Sequence, residues 1–269
     1  MKIAVIGASG RMGKAVIDEL AQQQLTCVAA IVGDQSASLG QRVTTAPEQA
    51  LFYTSGDELT TADIDVVIDF SLPEALAHNL TLAERLGAAM VVCTTGLETE
   101  QQQLLQRAAT SIPLLYAANT SVGICVLEQL VAVASAAMPA TDIEILEAHH
   151  SAKRDAPSGT ALALAQAAAG GRGQDLAACD AQIRGPSARR PGSIGFAVQR
   201  AADIIGEHSV LMAQPGERLE LNHRVSDRRV FARGAVQAAQ WLAQQPAGYY
   251  QMRDMLDLNA VLKQLLAEI

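Results

Sequence analysis

Between Lys2 and Asn119 short, continuously apolar, β-branched runs alternate with stretches of helical period, and this alternation limits the folds open to the chain. The runs are Lys2–Gly7, Thr26–Val32, Val66–Asp69, Met90–Thr94 and Leu114–Ala117; the helical stretches are Met12–Gln23, Glu74–Leu86 and Thr99–Thr110. A strand that is apolar at every position must be buried on both faces. Strands separated by helices are parallel, with the helices supplying the two covers. The aromatic fraction is only 3%, so the core of this sheet has to be built from Ala, Val, Leu and Ile.

Past Gly123 the pattern changes. A long apolar helix runs to about Met138, Asp142–His149 reads as a strand, and Ser158–Ala169 reads as a second helix. Gly170–Gly192, rich in Gly and Arg, reads as a mobile surface connection. Ile194–Arg200, His208–Ala213 and Arg218–Val225 then follow as neighbouring strands, the last two joined by a Gln-Pro-Gly-Glu turn. Adjacent strands of this kind predict a mostly antiparallel sheet with helices on one face. Helices return at Arg229–Gln244 and Leu258–Glu268. The expected organisation is α/β: a doubly wound parallel sheet over residues 1–120 and 229–269, with an inserted α+β domain over 121–228.

Several classes of function are disfavoured. A net charge of −8 argues against nucleic acid as partner, because that footprint needs a basic face. The start, MKIAVIGASG, is too short and Gly-interrupted to serve as a signal peptide. No apolar run approaches the roughly 20 residues of a membrane span. Cys27, Cys93, Cys125 and Cys179 are scattered, without a Cys-x-x-Cys and with no His at ligand spacing, so buried free thiols are expected and no metal site. The expectation is a soluble, cytoplasmic protein.

Two segments point to chemistry. The first apolar run leads into GASGRMG, which places Gly7, Gly10 and Gly13 between strand and helix. Glycine permits the tight turn and the close approach of backbone to a pyrophosphate whose charge meets the helix N-terminus. The stretch Gly7-Ala8-Ser9-Gly10-Arg11-Met12 is thus a dinucleotide loop, although its spacing is G-x-x-G-x-x-G. At the end of the second run, Asp34 is either an acid for the ribose of NADH or an ordinary loop acid, and Arg11 is placed to meet the 2′-phosphate of NADPH. The cofactor preference stays open. Two further loops, Cys93-Thr94-Thr95-Gly96 and Ala117-Ala118-Asn119-Thr120-Ser121-Val122-Gly123, lie where ligands of such sheets bind.

The second segment, EAHHSAKRDAPSGT, concentrates two of five histidines and one of four lysines. Strand alternation sends His149 and His150 to opposite sides. Lys153 offers a compact charge with three donors. Pro157-Ser158-Gly159-Thr160 reads as a helix start, with Ser158 or Thr160 as cap and N–H groups that attract an anion. A lysine, a helix N-terminus and a histidine together indicate a carboxylate or phosphate ligand and proton transfer to it.

EAHHSAKRDAPSGTA resembles the signature of the dihydrodipicolinate (4-hydroxy-tetrahydrodipicolinate) reductase family. VIGASGRMG, DFSLPEA, CTTG, AANTSVG, RRPGSIGFAVQRAADIIGEHSV and GERLELNHRVSDRRVFARGAV follow in family order over nearly the whole chain. The resemblance implies a Rossmann-like domain with a substrate-binding and oligomerisation domain, a homotetramer, and domain closure about Ser121 and Arg229. It implies reduction by NADH or NADPH of a cyclic dicarboxylate, after loss of water, in lysine and diaminopimelate biosynthesis. His149 would give the proton and Lys153 would assist, while His150, Gly159 and Thr160 would bind the dicarboxylate. The cofactor would lie on Gly7–Met12, Cys93–Thr95 and Ala117–Thr120. Two departures are visible. Many members end the second strand with an acid and an Arg where this chain has Val32-Gly33, and some carry Phe at the position of Thr120. Another two-domain dehydrogenase and a non-catalytic nucleotide sensor remain as alternatives; the first is not expected to carry HHSAKRDAPSGT with GEHSV, and the second has no need of a general acid.

Overall fold

The five apolar runs pair in parallel, as a sheet buried on both faces requires. A computed structural model describes residues 1–45, 50–59 and 63–267, divided into two compact units.

The first unit, Met1–Ser121 with Arg229–Met255, contains β1 (Lys2–Ile6), α1 (Arg11–Gln22), β2 (Thr26–Val32), β3 (Tyr53–Ser55), β4 (Val66–Asp69), α2 (Leu76–Leu86), β5 (Ala89–Val92), α3 (Thr99–Ala108) and β6 (Pro113–Tyr116). The second contains α4 (Val122–Ala137), β7 (Asp142–His149), α5 (Gly159–Gly171), β8 (Gln182–Ile183), β9 (Ile194–Arg200), β10 (Gly206–Gln214) and β11 (Glu217–Val225). The chain then returns to the first unit with α6 (Arg229–Leu242), β12 (Gly248–Tyr250) and α7 (Met252–Met255), and ends in α8 (Leu258–Ala267).

The sheet of the first unit runs β12-β6-β5-β4-β1-β2-β3. Six of these strands reproduce the 3-2-1-4-5-6 order of doubly wound dinucleotide-binding sheets, with the order reversing between β1 and β4. Alternate side chains serve the two covers. Ala4, Ile6, Val67, Met90 and Leu114 join Leu76, Leu80 and Leu105 of α2 and α3 in one cluster. On the other face α1 and α6 pack on each other and on the strands. Full burial of an aliphatic side chain such as Ile3 or Ile68 contributes roughly 1.5–3 kcal/mol. β3 and β12 were not expected: at three residues each, they are too short for their period to be read.

The second unit has a five-stranded sheet, β11-β10-β7-β9-β8, covered on one face by α4 and α5. It is mixed rather than mostly antiparallel. β10 pairs antiparallel with β7 and β11, while β9 pairs parallel with β7 and β8. The cause is α5, which lies between β7 and β9 in sequence and makes their connection a crossover.

Two further expectations are corrected. Gly170–Gly192 is pinned, not a loose connection. Arg184 and Arg189 both bond the Glu144 carboxylate, Arg172 donates to the Thr141 carbonyl, and β8 adds an edge strand. The tail Leu256–Ile269 groups with the second unit rather than the first, because Gln129 of α4 donates to the Leu256 carbonyl at 2.8 Å and accepts from the Leu258 N–H at 3.2 Å. The expected end of the last helix at Glu268 lies outside the described residues. All four cysteines are buried free thiols, as expected.

Adjacent glycines at the end of α5 give a test of this packing. A Cβ on Gly171 would overlap the Ala132 carbonyl of α4, while one on Gly170 meets open space. Gly171→Ala should destabilise the protein by about 1–3 kcal/mol, and Gly170→Ala should stabilise it by roughly 0.5–1 kcal/mol. Denaturant titration of both variants checks the opposite signs.

Candidate active site

In the first unit the chain leaves β1 at Gly7, whose φ of +72° suits glycine and whose Cβ would stand 2.5 Å from the Phe70 carbonyl oxygen. A Cβ on Gly13 would overlap the Gly7 carbonyl, so helix and strand approach as closely as backbone allows. Gly10 caps α1 without any side-chain hydrogen bond, which leaves the head of the helix to backbone N–H groups. Ala8 is buried; Gly10 and Arg11 are exposed, with Ser9 and Met12 between. A glycine cradle ahead of an uncapped helix, beside the point where strand order reverses, fits the pyrophosphate of a dinucleotide.

The neighbouring strand ends surround this loop. Asp34, just past β2, is held by Ser55 at the end of β3, whose hydroxyl donates to Oδ1 at 2.5 Å. Thr94 is buried with a hydroxyl that has no partner among the described residues, Cys93 is buried, and Thr95 is exposed. Ala117 is buried, Ala118 exposed, and Asn119 Oδ1 accepts from the Ser121 N–H at 2.9 Å. Thr120, expected beside the cofactor, is tied to α6. It is buried, its hydroxyl donates to the Phe231 carbonyl at 2.7 Å, and its own carbonyl sits against Gly234 so closely that a Cβ there would overlap it. Its hydroxyl and carbonyl anchor α6. Asp69, overlooked in the sequence, ends β4 fully buried, with Asn79 Nδ2 at 3.1 Å and the Ser71 N–H at 2.8 Å. Burial pushes its carboxyl up against those hydrogen bonds.

The second unit gathers the polar end of its covered face. Ile143, Ile145, Glu147 and His149 share that face of β7 at the period of a strand. The antiparallel register puts His208 of β10 opposite Glu147, and the parallel register puts Arg200 of β9 opposite His149. The start of α5 also arrives there. Ser158 caps the helix by accepting from the Ala161 N–H, donates its own N–H to Glu147 Oε1 at 3.0 Å, and places its hydroxyl 3.1 Å from His208 Nε2.

Glu147 is completely buried and is the hub of this cluster. Arg200 clasps both of its oxygens at 2.8 Å, and His149 Nδ1 lies 2.6 Å from Oε2. Burial alone would raise the Glu147 carboxyl; Arg200, His149 and the Ser158 N–H outweigh it and hold it below its usual range. The His149 imidazole is lowered by burial, which exceeds the upward pull of Glu147. His208 stands edge-on to His149 with ring centroids 5.2 Å apart, and burial, aided by His149, brings it down to about 4.

Lys153 reaches the same rim, its Nζ 2.9 Å from Asp155. His150, half-buried, lies one residue beyond the strand, and its carbonyl accepts from the Lys153 N–H. Gly159 opens α5 exposed, followed by half-buried Thr160. The structure thus brings together His149, Lys153 and the helix start, and adds Glu147, Arg200 and His208. The i, i+2 spacing of Glu147 and His149 on a strand was a legible signal for the first of these. Nothing local announces the other two.

A doubly wound sheet with such a loop, joined to a second unit carrying a buried acid–base cluster, defines a dinucleotide-binding oxidoreductase. Family models described as dihydrodipicolinate reductase, N-terminus and C-terminus, match residues 1–120 and 123–256. A 4-hydroxy-tetrahydrodipicolinate reductase of Pseudoalteromonas atlantica is 44% identical over 264 residues, covering 96% of this chain and 99% of its own. One from Zymomonas mobilis is 45% identical, covering 96% and 98%. The chain belongs to the dihydrodipicolinate reductase family. In fold it is similar to the dipicolinate-bound dihydrodipicolinate reductase of Paenisporosarcina sp. TG-14, with a TM-score of 0.72 at 22% identity over 93% of this chain and 97% of that one. A probable dehydrogenase of Thermotoga maritima gives 0.64 at 10% identity, covering 95% and 92%. Among the described residues no helix is long and apolar enough to cross a membrane, and no group of three or more His, Cys, Asp or Glu could hold a metal.

The lowered His208 makes stability depend on pH. Below about 6.5 the unfolded chain protonates this histidine while the folded protein does not, so stability falls with pH until about 4, by roughly 3 kcal/mol at most. Wild type should lose stability relative to His208→Gln across that window. Paired denaturant titrations between pH 7 and pH 4 measure the difference, and parallel curves would exclude a buried neutral His208.

Proposed function

We propose that this chain reduces 4-hydroxy-tetrahydrodipicolinate, by way of its dehydrated form, to tetrahydrodipicolinate in lysine and diaminopimelate biosynthesis, using NADH or NADPH. The observation that carries the reading is the His149–Glu147–Arg200 cluster beside Lys153 and the head of α5, in a chain of this family. Gly7–Met12 and the ends of β5 and β6 would hold the dinucleotide, whose reduced nicotinamide supplies a hydride when bound. Everything else falls to side chains and backbone. The head of α5 at Gly159 and Thr160, with Lys153 and His150, binds the two carboxylates of the substrate. His149 gives a proton from Nε2 to the ring system that accepts the hydride, while its Nδ1–H stays with Glu147. The carboxylates of a bound substrate raise the His149 imidazole again, countering burial and favouring the protonated donor. Lys153, released from Asp155, pairs with substrate and assists the transfer.

We place the protein in the cytoplasm as a homotetramer. Support for association comes from the open face of the second unit's sheet, where Leu146 is 40% exposed at the centre of β7. Sedimentation equilibrium should give four times the chain mass.

Loss of reduced-nicotinamide absorbance, with substrate made in situ by its synthase, tests the activity. His149→Gln should lower kcat about 10²–10⁴-fold with nucleotide binding intact, whereas an unchanged kcat removes His149 from the role. Lys153→Ala should raise KM and lower kcat; a change in thermal stability alone would make Lys153 structural. Tight nucleotide binding without turnover by either cofactor would mark a sensor.

Asp34, fixed by Ser55, would meet a ribose 2′-hydroxyl and repel a 2′-phosphate. Replacing it with Ser should raise kcat/KM for NADPH relative to NADH about tenfold, the effect of ~1.4 kcal/mol. Side-by-side kcat/KM values measure it, and an unchanged ratio takes Asp34 out of the ribose site.

A further inference from the structure

We propose that Glu147, clasped by Arg200, is a positioning residue that fixes the proton of His149 on Nδ1 and so reserves Nε2 for the substrate. The inference rests on the reading of His149 as proton donor.

The geometry leaves little freedom. An ionised carboxylate only accepts hydrogen bonds, and Glu147 spends its two oxygens on Arg200 Nη1 and Nη2, the Ser158 N–H and His149 Nδ1. At 2.6 Å, Nδ1 must therefore carry a hydrogen in the neutral ring as well as in the charged one. Nε2 is then the atom that gains and loses the transferred proton. It is also kept clear by its neighbour. A Cβ on Gly206 would stand 3.3 Å from Nε2, so glycine at the start of β10 leaves that edge of the ring open.

The arrangement also separates two jobs that one carboxylate might confuse. Glu147 could take the His149 proton itself if burial alone set its basicity. Arg200 and the Ser158 N–H hold it as the anion, so it stabilises a charged imidazole without competing for the proton. The charged and titratable groups facing His149 are Glu147 on its own strand, Arg200 from β9, Lys153 from the loop and His208 from β10. Asp155 stands behind Lys153, and His223 behind His208. Of the groups acting on His149, only Glu147 raises it, and Lys153 and Arg200 act in the opposite sense.

Two variants read these roles in opposite directions. Glu147→Gln keeps the shape but removes the anion. It should lower kcat about 10–100-fold, leave substrate KM within about threefold, and move the alkaline limb of the kcat profile down by about one pH unit or more. Arg200→Gln should move the same limb up, because it removes a repelling charge and leaves the carboxylate. A merely structural cluster would move both variants alike. Limbs shifted in the same direction, or a wild-type profile for Glu147→Gln, would overturn the proposal.

Nitrogen-15 chemical shifts of His149 in the unmodified full-length protein, assigned against His149→Gln, need neither variant of the pair. A neutral ring protonated at Nδ1 supports the assignment, and one protonated at Nε2 overturns it even if Glu147→Gln does not fold. If His149→Gln itself keeps full kcat, the proton-donor reading fails, while the shifts still report whether Glu147 sets the tautomer.

Discussion

A carboxylate with no exposed surface is the constraint on which the second unit turns. Taking Glu147 out of water costs several kcal/mol, and only partners with good geometry offset it. The partners come from three places: Arg200 at the end of β9, the Ser158 N–H at the head of α5, and His149 two residues along the same strand. Each element must end where it does for the charge to be satisfied. Removing Arg200 would take away the guanidinium that clasps both oxygens, a loss of about 3–5 kcal/mol. The cluster therefore fixes the end of β9, the start of α5 and the orientation of the histidine by a single requirement.

The first unit meets a comparable demand with backbone instead of charge. Its sheet is apolar throughout, and its polar groups collect where the strands end. Asp69 is the buried exception: Asn79 and Ser71 supply hydrogen bonds but no cation, and burial raises the carboxyl. The adjoining Phe70 carbonyl presses on Gly7, which couples the end of β4 to the turn that follows β1. The glycine loop is thus held by close packing of backbone on both sides, with no side chain needed to shape it.

Much of the architecture was legible because it depends on short-range periodicity. Continuous apolar runs gave the parallel sheet, and the glycines at 7, 10 and 13 gave the loop, since those requirements act within a dozen residues. Pairing between distant strands was not legible. Arg200 and His208 lie 51 and 59 positions after His149, and only the register of β7 with β9 and β10 brings them to it. The same limit explains the sheet predicted as mostly antiparallel, because neighbouring strands in sequence need not be neighbours in space. Glu147 is a different case. Its distance from His149 is two residues, and the period of a strand places both on one face; the contiguous signature drew attention forward to Lys153 and away from the residue behind. The partner of Thr120 was hidden by distance as well, since α6, over a hundred residues later, accepts its hydroxyl hydrogen bond.

The division into two units has a chemical consequence. Asp34, Ser55 and the glycine loop belong to one core, and every group that sets the basicity of His149 belongs to the other: Glu147, Arg200, Lys153 and His208. Coulomb interactions between exposed charges fade beyond about 10 Å at ordinary ionic strength, whereas buried contacts of 2.6–3.1 Å are scarcely screened. The contacts that set the basicity of His149 are thus made within the second unit alone. Val32-Gly33 belongs to the first unit, with none of the groups that act on His149.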